Sequence, residues 1–250
     1  MYGTLIVIQT STTTTITMIT TSGRAQLLQF QEIIYKRLRS LFFVILFLGD
    51  YMDIDKIVSV VDSGGLVITP TDTVYGIMGD SLDEKVIRKV YSVKRRTFSK
   101  PLILLMSDVE MIKKYTSDIS DVEWDLINHF LPGLVTIILK KNDLVNPLIT
   151  SNSDYVGIRI PDNRELVEII KKLGRPVIST SANISDSDVI TRVDMISDEL
   201  LSGIDYVYDG GEINSLSSTI IRVVDGKLVI LRRGELADEI ESYFSKLEKN

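Results

Sequence analysis

The sequence predicts an α/β (α+β) domain built on a mixed sheet. Three observations carry this. Helical and strand-like patterns alternate from Met52 onward. Several connections are long enough to be crossovers. The last two strand patterns flank Asp225-Gly226, a pair suited to an antiparallel hairpin.

The elements follow in order. Ile54, Ile57, Val58 and Val61 recur at helical spacing, and Gly64-Gly65 stops that helix. Residues 66–68 read as a short buried strand. Residues 83–93 read as a helix with Val86, Ile87 and Val90 on one face and a cap near Ser81 or Asp83. Pro101 opens a strand over 102–105. Asp108 caps a short helix, and Asp121 caps another that ends before Pro132-Gly133. Residues 134–139 form a strand with Thr136 inside it, and 156–160 form another, stopped by Pro161. A helix over 165–173 ends at Gly174, and 177–179 follow as a strand. Residues 218–223 and 228–231 make the hairpin, and 235–249 a closing amphipathic helix. No internal repeat is present.

The first 51 residues differ from the rest. Residues 9–17 are a threonine-rich low-complexity stretch, and 41–48 are an apolar run behind Lys36, Arg37 and Arg39. That run is too short for a bilayer, which needs about 20 residues. It also lies late for a signal peptide and lacks a small-residue cleavage site. Residues 1–51 are therefore read as an appendage, residues 52–250 as the main domain, and Met52 as the expected natural start. No membrane association is expected.

Composition narrows the chemistry. With no cysteine, disulfides, thiolate metal sites and a cysteine nucleophile are excluded, and a reducing cytoplasm fits. One histidine, His129, rules out a histidine-rich metal site; its half-buried helical setting favours a structural role. No metal-ligating set is read from the residues. A net charge of -6 argues against a broad nucleic-acid footprint. A local basic group remains: Lys94, Arg95, Arg96 and Lys100, either a groove wall or a solvated helix end.

Two polar strand exits suggest two walls of one cleft, since ligands of open α/β sheets gather at strand ends. One runs from Thr69 to Gly76. The other carries Ser179, Thr180, Ser181 and Asn183. Ordinary Asx or Ser/Thr turns would give the same pattern. Glycine-rich dinucleotide, Walker and nucleophile-elbow motifs are absent. An anion would have to be held by dispersed groups: Thr71, Thr73, Lys94, Arg96, Lys100, Arg159, Ser179, Ser181, Asn183, Ser218, Thr219, Arg232 and Arg233. Arg159 stands out inside an apolar strand, two residues after Gly157. Period-two alternation places it either at a ligand or on the outer face of an edge strand.

Seven segments in order resemble the YrdC-like family of threonylcarbamoyl-AMP synthases. They are Pro70 to Gly76; Lys94-Arg95-Arg96 with Lys100-Pro101; Pro132 to Thr136; Val156 to Pro161; Ser181 to Ser185; Ser218 to Ile221; and Leu231 to Gly234. The resemblance implies a twisted mixed parallel/antiparallel sheet flanked by helices, with a large concave cleft. It implies synthesis of threonylcarbamoyl-AMP and pyrophosphate from L-threonine, bicarbonate and ATP, with Mg2+. The product would serve threonylcarbamoyladenosine modification of tRNA next to the anticodon. Lys94, Arg96, Lys100, Ser181 and Asn183 would meet ATP, with Lys94, Arg96, Ser181 and Asn183 the catalytic set. Thr73, Arg159, Ser179 and Thr219 would meet threonine, and Arg232 or Arg233 the phosphates. Partners would be the downstream transfer machinery, with a weak tRNA contact.

The sequence departs from the family at Arg95, usually glycine, and at Thr97 and Leu134, commonly prolines. Asp186 replaces a usual glycine, and Leu105 a histidine found in some members. The chain resembles the short form, without an additional C-terminal domain. The competing readings are a non-catalytic RNA-binding module and a carbamoyl-transfer relative from hydrogenase maturation; absent cysteines oppose the latter.

Every motif lies beyond Met52. Deleting residues 1–51 should therefore leave turnover unchanged. Loss of activity in a soluble truncated protein would show that the tail contributes to the site or the core.

Overall fold

In a computed structural model, residues 4–9, 14–19, 44–47, 52–185, 188–213 and 217–247 are described. The chain divides into two units, Met1–Tyr51 and Met52–Asn250. In the first, strands β1 (Thr4–Gln9), β2 (Thr14–Ile19) and β3 (Val44–Phe47) pair antiparallel in the order β2-β1-β3. Their threonine, isoleucine and valine content suits extended backbone.

The second unit is organised by a nine-stranded sheet. Its strands are β4 (Val67–Pro70), β5 (Tyr75–Asp80), β6 (Ile103–Leu105), β7 (Val135–Lys140), β8 (Tyr155–Arg159), β9 (Val177–Ser181), β10 (Tyr206–Val207), β11 (Thr219–Val224) and β12 (Lys227–Arg232). They lie in the order β10-β4-β5-β9-β6-β8-β7-β11-β12. Pairings β10–β4, β6–β8 and β7–β11 are parallel and the others antiparallel, so the sheet is mixed as predicted.

The helices begin where side chains satisfy their first N–H groups. Asp53 caps α1 (Ile54–Asp62), Asp83 caps α2 (Glu84–Val93) and Asp108 caps α3 (Val109–Tyr115). Ser81 instead donates to the Pro176 carbonyl at 2.7 Å. Helix α4 (Asp121–Phe130) starts one residue earlier than expected. Its cap is Ser120, because Glu123 completes a reciprocal capping box, and Asp121 is the first helical residue. Asn163 caps α5 (Arg164–Leu173), which ends in left-handed Gly174 at φ 65°. A short α6 (Asp198–Leu201) and the closing α7 (Ala237–Leu247) complete the set. Asp186 and the end of the predicted closing helix lie outside the described residues.

Period-two alternation decides what each sheet face does. One face carries Tyr75, Ile77, Leu104, Ile137, Val156, Ile158, Ile178 and Ile221 into the main core, with Val86, Ile87 and Val90 of α2 and Leu126 and Ile127 of α4. Each such buried side chain contributes roughly 1.5–3 kcal/mol. On the opposite face, Met78, Leu105 and Val177 pack with Ile57 and Val61 of α1 and Leu166, Ile169 and Ile170 of α5. Beyond those helices, the same face is a cleft.

Strand β5 is not legible in the sequence. Gly76, Gly79 and Asp80 break its apolar pattern, and the sequence analysis assigns no element there. The glycines are accommodations to neighbours. A β-carbon on Gly79 would lie 2.6 Å from Val86 Cγ1 and 2.7 Å from Leu66 Cδ2. Gly79→Ala should therefore cost about 1–3 kcal/mol through overpacking. Thermal denaturation checks this, and an unchanged Tm would show that helix α2 moves aside freely.

Candidate active site

The cleft has a volume of about 230 Å³, and both polar strand exits reach it. They are laterally paired: Gly76 of β5 is opposite Ser181 of β9. Thr71, Thr73, Ser179, Thr180 and Ser181 line the cleft, and so do Arg96, Arg159 and Arg232.

The turn between β4 and β5 is held by hydroxyls. Thr71 Oγ1 accepts from the Thr73 and Val74 N–H groups at 3.0 and 3.2 Å and donates to the Val74 carbonyl at 2.7 Å. With that proton committed, Thr73 is the donor in the 2.9 Å contact between the two hydroxyls. Thr73 Oγ1 in turn accepts from Arg159 Nη1 at 3.3 Å.

Arg159 is 4% exposed. It lies on β8, a central strand between β6 and β7, so the edge-strand alternative is ruled out. Its side chain shares a sheet face with Gly157. Its Nε donates to the Gly133 carbonyl at 2.9 Å and Nη2 to Asp72 Oδ2 at 2.7 Å. Burial lowers the Arg159 pKa, and Asp72 opposes that shift. Asp72 also accepts from the Asp162 N–H at 2.8 Å. Sequence reasoning quoted Asp72 in its motif but assigned it no role. The signal available was a carboxylate flanked by two threonines before a strand. A β-carbon on Gly157 would lie 3.0 Å from Ile103 Cγ2, so the missing side chain serves packing between strands.

Lys94 was expected at ATP. It is 1% exposed and caps the end of α2. Its Nζ donates to the carbonyl of Ser181, to the carbonyl of Asn183 at 2.6 Å and to Asn183 Oδ1 at 3.1 Å. All three ammonium hydrogens are thereby directed into the loop after β9, and Lys94 is absent from the cleft lining. Asn183, likewise off the lining, also accepts from Ser181 Oγ at 2.5 Å. Lys94 thus holds the end of β9, which presents Ser181, together with the loop that follows. Burial and the nearby Arg96 lower its pKa to about 7. The three oxygens favour the charged form and resist that shift.

Arg96 lines the cleft, with Nε and Nη2 on the carbonyls of Lys100 and Pro101 at 3.0 and 2.7 Å. Lys100 is not in the lining. Arg95 takes the left-handed conformation at φ 49° and pairs with Glu199. Left-handed backbone costs a non-glycine residue roughly 1–2 kcal/mol, which is why glycine suits this place.

The structure separates the two closing arginines. Arg232 lines the cleft and donates to the Ser218 carbonyl and to Ser218 Oγ, both at 3.0 Å. Burial, and then the charge of Arg159, lower its pKa. Arg233 turns to Glu241 and Asp238 on α7. Thr219 is fully buried and accepts from the Gly234 N–H at 3.2 Å. The structure does not bring it to the cleft; its neighbour Ser218 stands there instead. Strand alternation accounts for the exchange.

His129 stacks on Tyr243 with ring centres 3.9 Å apart, in keeping with a structural role. Among the described residues no cluster of three or more His, Cys, Asp or Glu could hold a metal ion. Among them, too, no helix is long and apolar enough to cross a membrane.

Comparison with known proteins places the chain in a family. Residues 59–234 match the Sua5, YciO and YrdC family, described as telomere recombination. A Methanocaldococcus jannaschii protein, provisionally named threonylcarbamoyl-AMP synthase, is 44% identical over 69% of this chain and 81% of its own. The Pyrococcus abyssi threonylcarbamoyl-AMP synthase is 31% identical over 74% of this chain. This chain spans only 55% of that relative's length. The crystal structure of P. abyssi Sua5 complexed with L-threonine superposes with a TM-score of 0.72 at 31% identity, covering 76% of this chain and 56% of that one.

The Lys94 pKa yields a signed expectation. It falls from 10.5 to about 7 on folding, so the stability it contributes is present above 10.5 and is lost as pH falls through about 7. The stability difference between the wild type and Lys94→Met should therefore widen from pH 7 towards pH 10. Urea midpoints across that range check it, and a constant difference would contradict the shift.

Proposed function

The chain belongs to the Sua5, YciO and YrdC family, and we propose that it makes threonylcarbamoyl-AMP and pyrophosphate from L-threonine, bicarbonate and ATP. The observation that carries this reading is the buried Arg159 fork, set among hydroxyls on the wall of a cationic cleft. Arg159 and Arg232 are close enough that one lowers the other's pKa, and an incoming anion would relieve that repulsion. The cleft volume, about 230 Å³, lies below the ~300–1,000 Å³ usual for small-molecule sites. An amino acid would fill the inner part, leaving the triphosphate towards Arg96 and Arg232.

On this reading, three of the five Arg159 N–H groups have partners among the described residues, and the threonine carboxylate takes the others. Thr73 and Ser179 border it. The threonine ammonium group first releases a proton to solvent; the free amine then attacks bicarbonate carbon, directly or as carbon dioxide, giving a carbamate with one water released overall. A carbamate oxygen then attacks the α-phosphorus, and the bond to pyrophosphate breaks. Arg96 and Arg232 neutralise charge on the phosphates, while Lys94 fixes the end of β9 carrying Ser181. Positioning and charge neutralisation supply the catalysis. His129, packed on Tyr243, is not needed as a base.

Mg2+ usually reaches such sites on substrate phosphates, with one or two carboxylates. In the cleft the one lining carboxylate among the described residues, Asp72, is already paired with Arg159, so Mg2+ would be carried on the substrate phosphates rather than by protein ligands. The product would pass to a transferase acting on adenosine in tRNA, and a cytoplasmic setting fits the cysteine-free chain. An RNA-binding role alone has less support: of the four clustered cations only Arg96 lines the cleft, and Arg95 pairs with Glu199.

Pyrophosphate release that requires both threonine and bicarbonate tests the reading, and release independent of threonine would refute it. Arg159→Lys keeps a charge but loses the planar fork. It should raise the threonine KM by about tenfold or more, equivalent to about 1.4 kcal/mol, with ATP binding retained. Alanine is the poorer choice, because leaving Asp72 buried without its partner costs about 3–5 kcal/mol in stability.

A further inference from the structure

We propose that Asp72 is the acceptor for the amino group of the amino-acid substrate, a role that rests on threonine binding in this cleft. The Asp72 side chain is 9% exposed and lines the cleft. Its two oxygens have different fates. Oδ2 accepts from Arg159 at 2.7 Å and from the Asp162 N–H at 2.8 Å. Oδ1 is buried and has no hydrogen-bond partner among the described residues. Ser151 Oγ, Ser185 Oγ and Arg222 Nε share that condition, but none of those residues lines the cleft. A buried carboxylate oxygen without a donor is costly, and native proteins seldom leave one without a reason. A ligand N–H is such a reason.

Charge points the same way. Asp72 and Arg159 form a neutral buried pair, cation beside anion. An α-amino acid is the complementary pair, with its carboxylate beside its ammonium group. Docked head to tail, the carboxylate meets Arg159 and the nitrogen meets Asp72, and no net charge is buried. A simple anion would satisfy Arg159 and leave Oδ1 orphaned. Asp72 would therefore select amino acids over hydroxy acids, and would hold the nitrogen that becomes the carbamate.

Calorimetric titration in the presence of ATP distinguishes these possibilities. The probes are L-threonine and 3-hydroxybutyrate, which is threonine without its amino group. The wild type should prefer threonine by about tenfold or more, the usual worth of a charge-assisted hydrogen bond. In Asp72→Asn the amide oxygen can still accept from Arg159 and Asp162, while an NH2 replaces the free oxygen. The preference should then collapse towards unity with ATP affinity nearly unchanged, while Tm falls because Arg159 keeps its hydrogen bonds but loses its counter-charge. If the variant fails to fold, the wild-type comparison decides alone, and equal affinity for the two probes overturns the proposal. Equal loss of affinity for both probes, with the preference intact, would mean that Asp72 merely supports Arg159, and would overturn the proposal. No wild-type binding of threonine at all would overturn the functional reading as well, so the two failures are distinguishable.

Discussion

The structure of the site depends on keeping one guanidinium charged inside a sheet. Arg159 is almost fully buried on a central strand, where an unpaired charge would be untenable. Asp72, the Thr73 hydroxyl and the Gly133 carbonyl make it tolerable. Those three partners come from two separate turns, one after β4 and one before β7. The arginine therefore fixes both turns relative to β8. Those bonds use three of the five N–H groups of a side chain that also lines the cleft, so on the proposed reading stabilisation and ligand recognition draw on one residue.

A second buried cation performs the corresponding task on the other wall. Lys94 ties the end of α2 to the loop after β9 through three oxygens. That attachment sets the position of Ser181, which is opposite Gly76 in the sheet. The chain must then turn sharply from Lys94 to Arg96, and Arg95 absorbs the turn in a left-handed conformation. Its ion pair with Glu199 lies at the surface, where such pairs contribute little. The adjacent arginines thus divide the work: Arg96 faces the cleft while Arg95 faces outward.

Arg96, Arg159 and Arg232 bring positive charge to a small volume that holds one carboxylate, Asp72. Burial and mutual repulsion depress the pKa of Lys94 and of Arg232, and these are the electrostatic conditions under which an anionic substrate binds well. Fixed donors in a partly desolvated cleft need little reorganisation as charge develops on a phosphate. On the proposed reading, catalysis then needs neither a cysteine nor His129, which stacks on Tyr243 in a helix interface.

Much of this molecule was legible in the sequence, because helices and edge hairpins announce themselves locally. Asp53, Asp83, Asp108 and Gly174 mark helix ends through short-range bonds, and Asp225-Gly226 marks a hairpin whose two residues both have positive φ. The ordered motifs identified the family and gathered Thr73, Arg96, Arg159, Ser179, Ser181 and Arg232, which the fold brings to one cleft. Direction was not legible. Whether Lys94 reaches the cleft or the loop behind it depends on where α2 ends against β9. The contrast between Arg232 and Arg233, or Ser218 and Thr219, depends on which face of a strand lies inward. Strand β5 escaped notice because Gly79 answers to Val86 on α2 and to Leu66 beside β4, not to its sequence neighbours. Local bonding wrote the elements and the residue types of the site into the sequence. The partners of Asp72 and the aim of each cation come from contacts between distant segments, which only the assembled sheet decides.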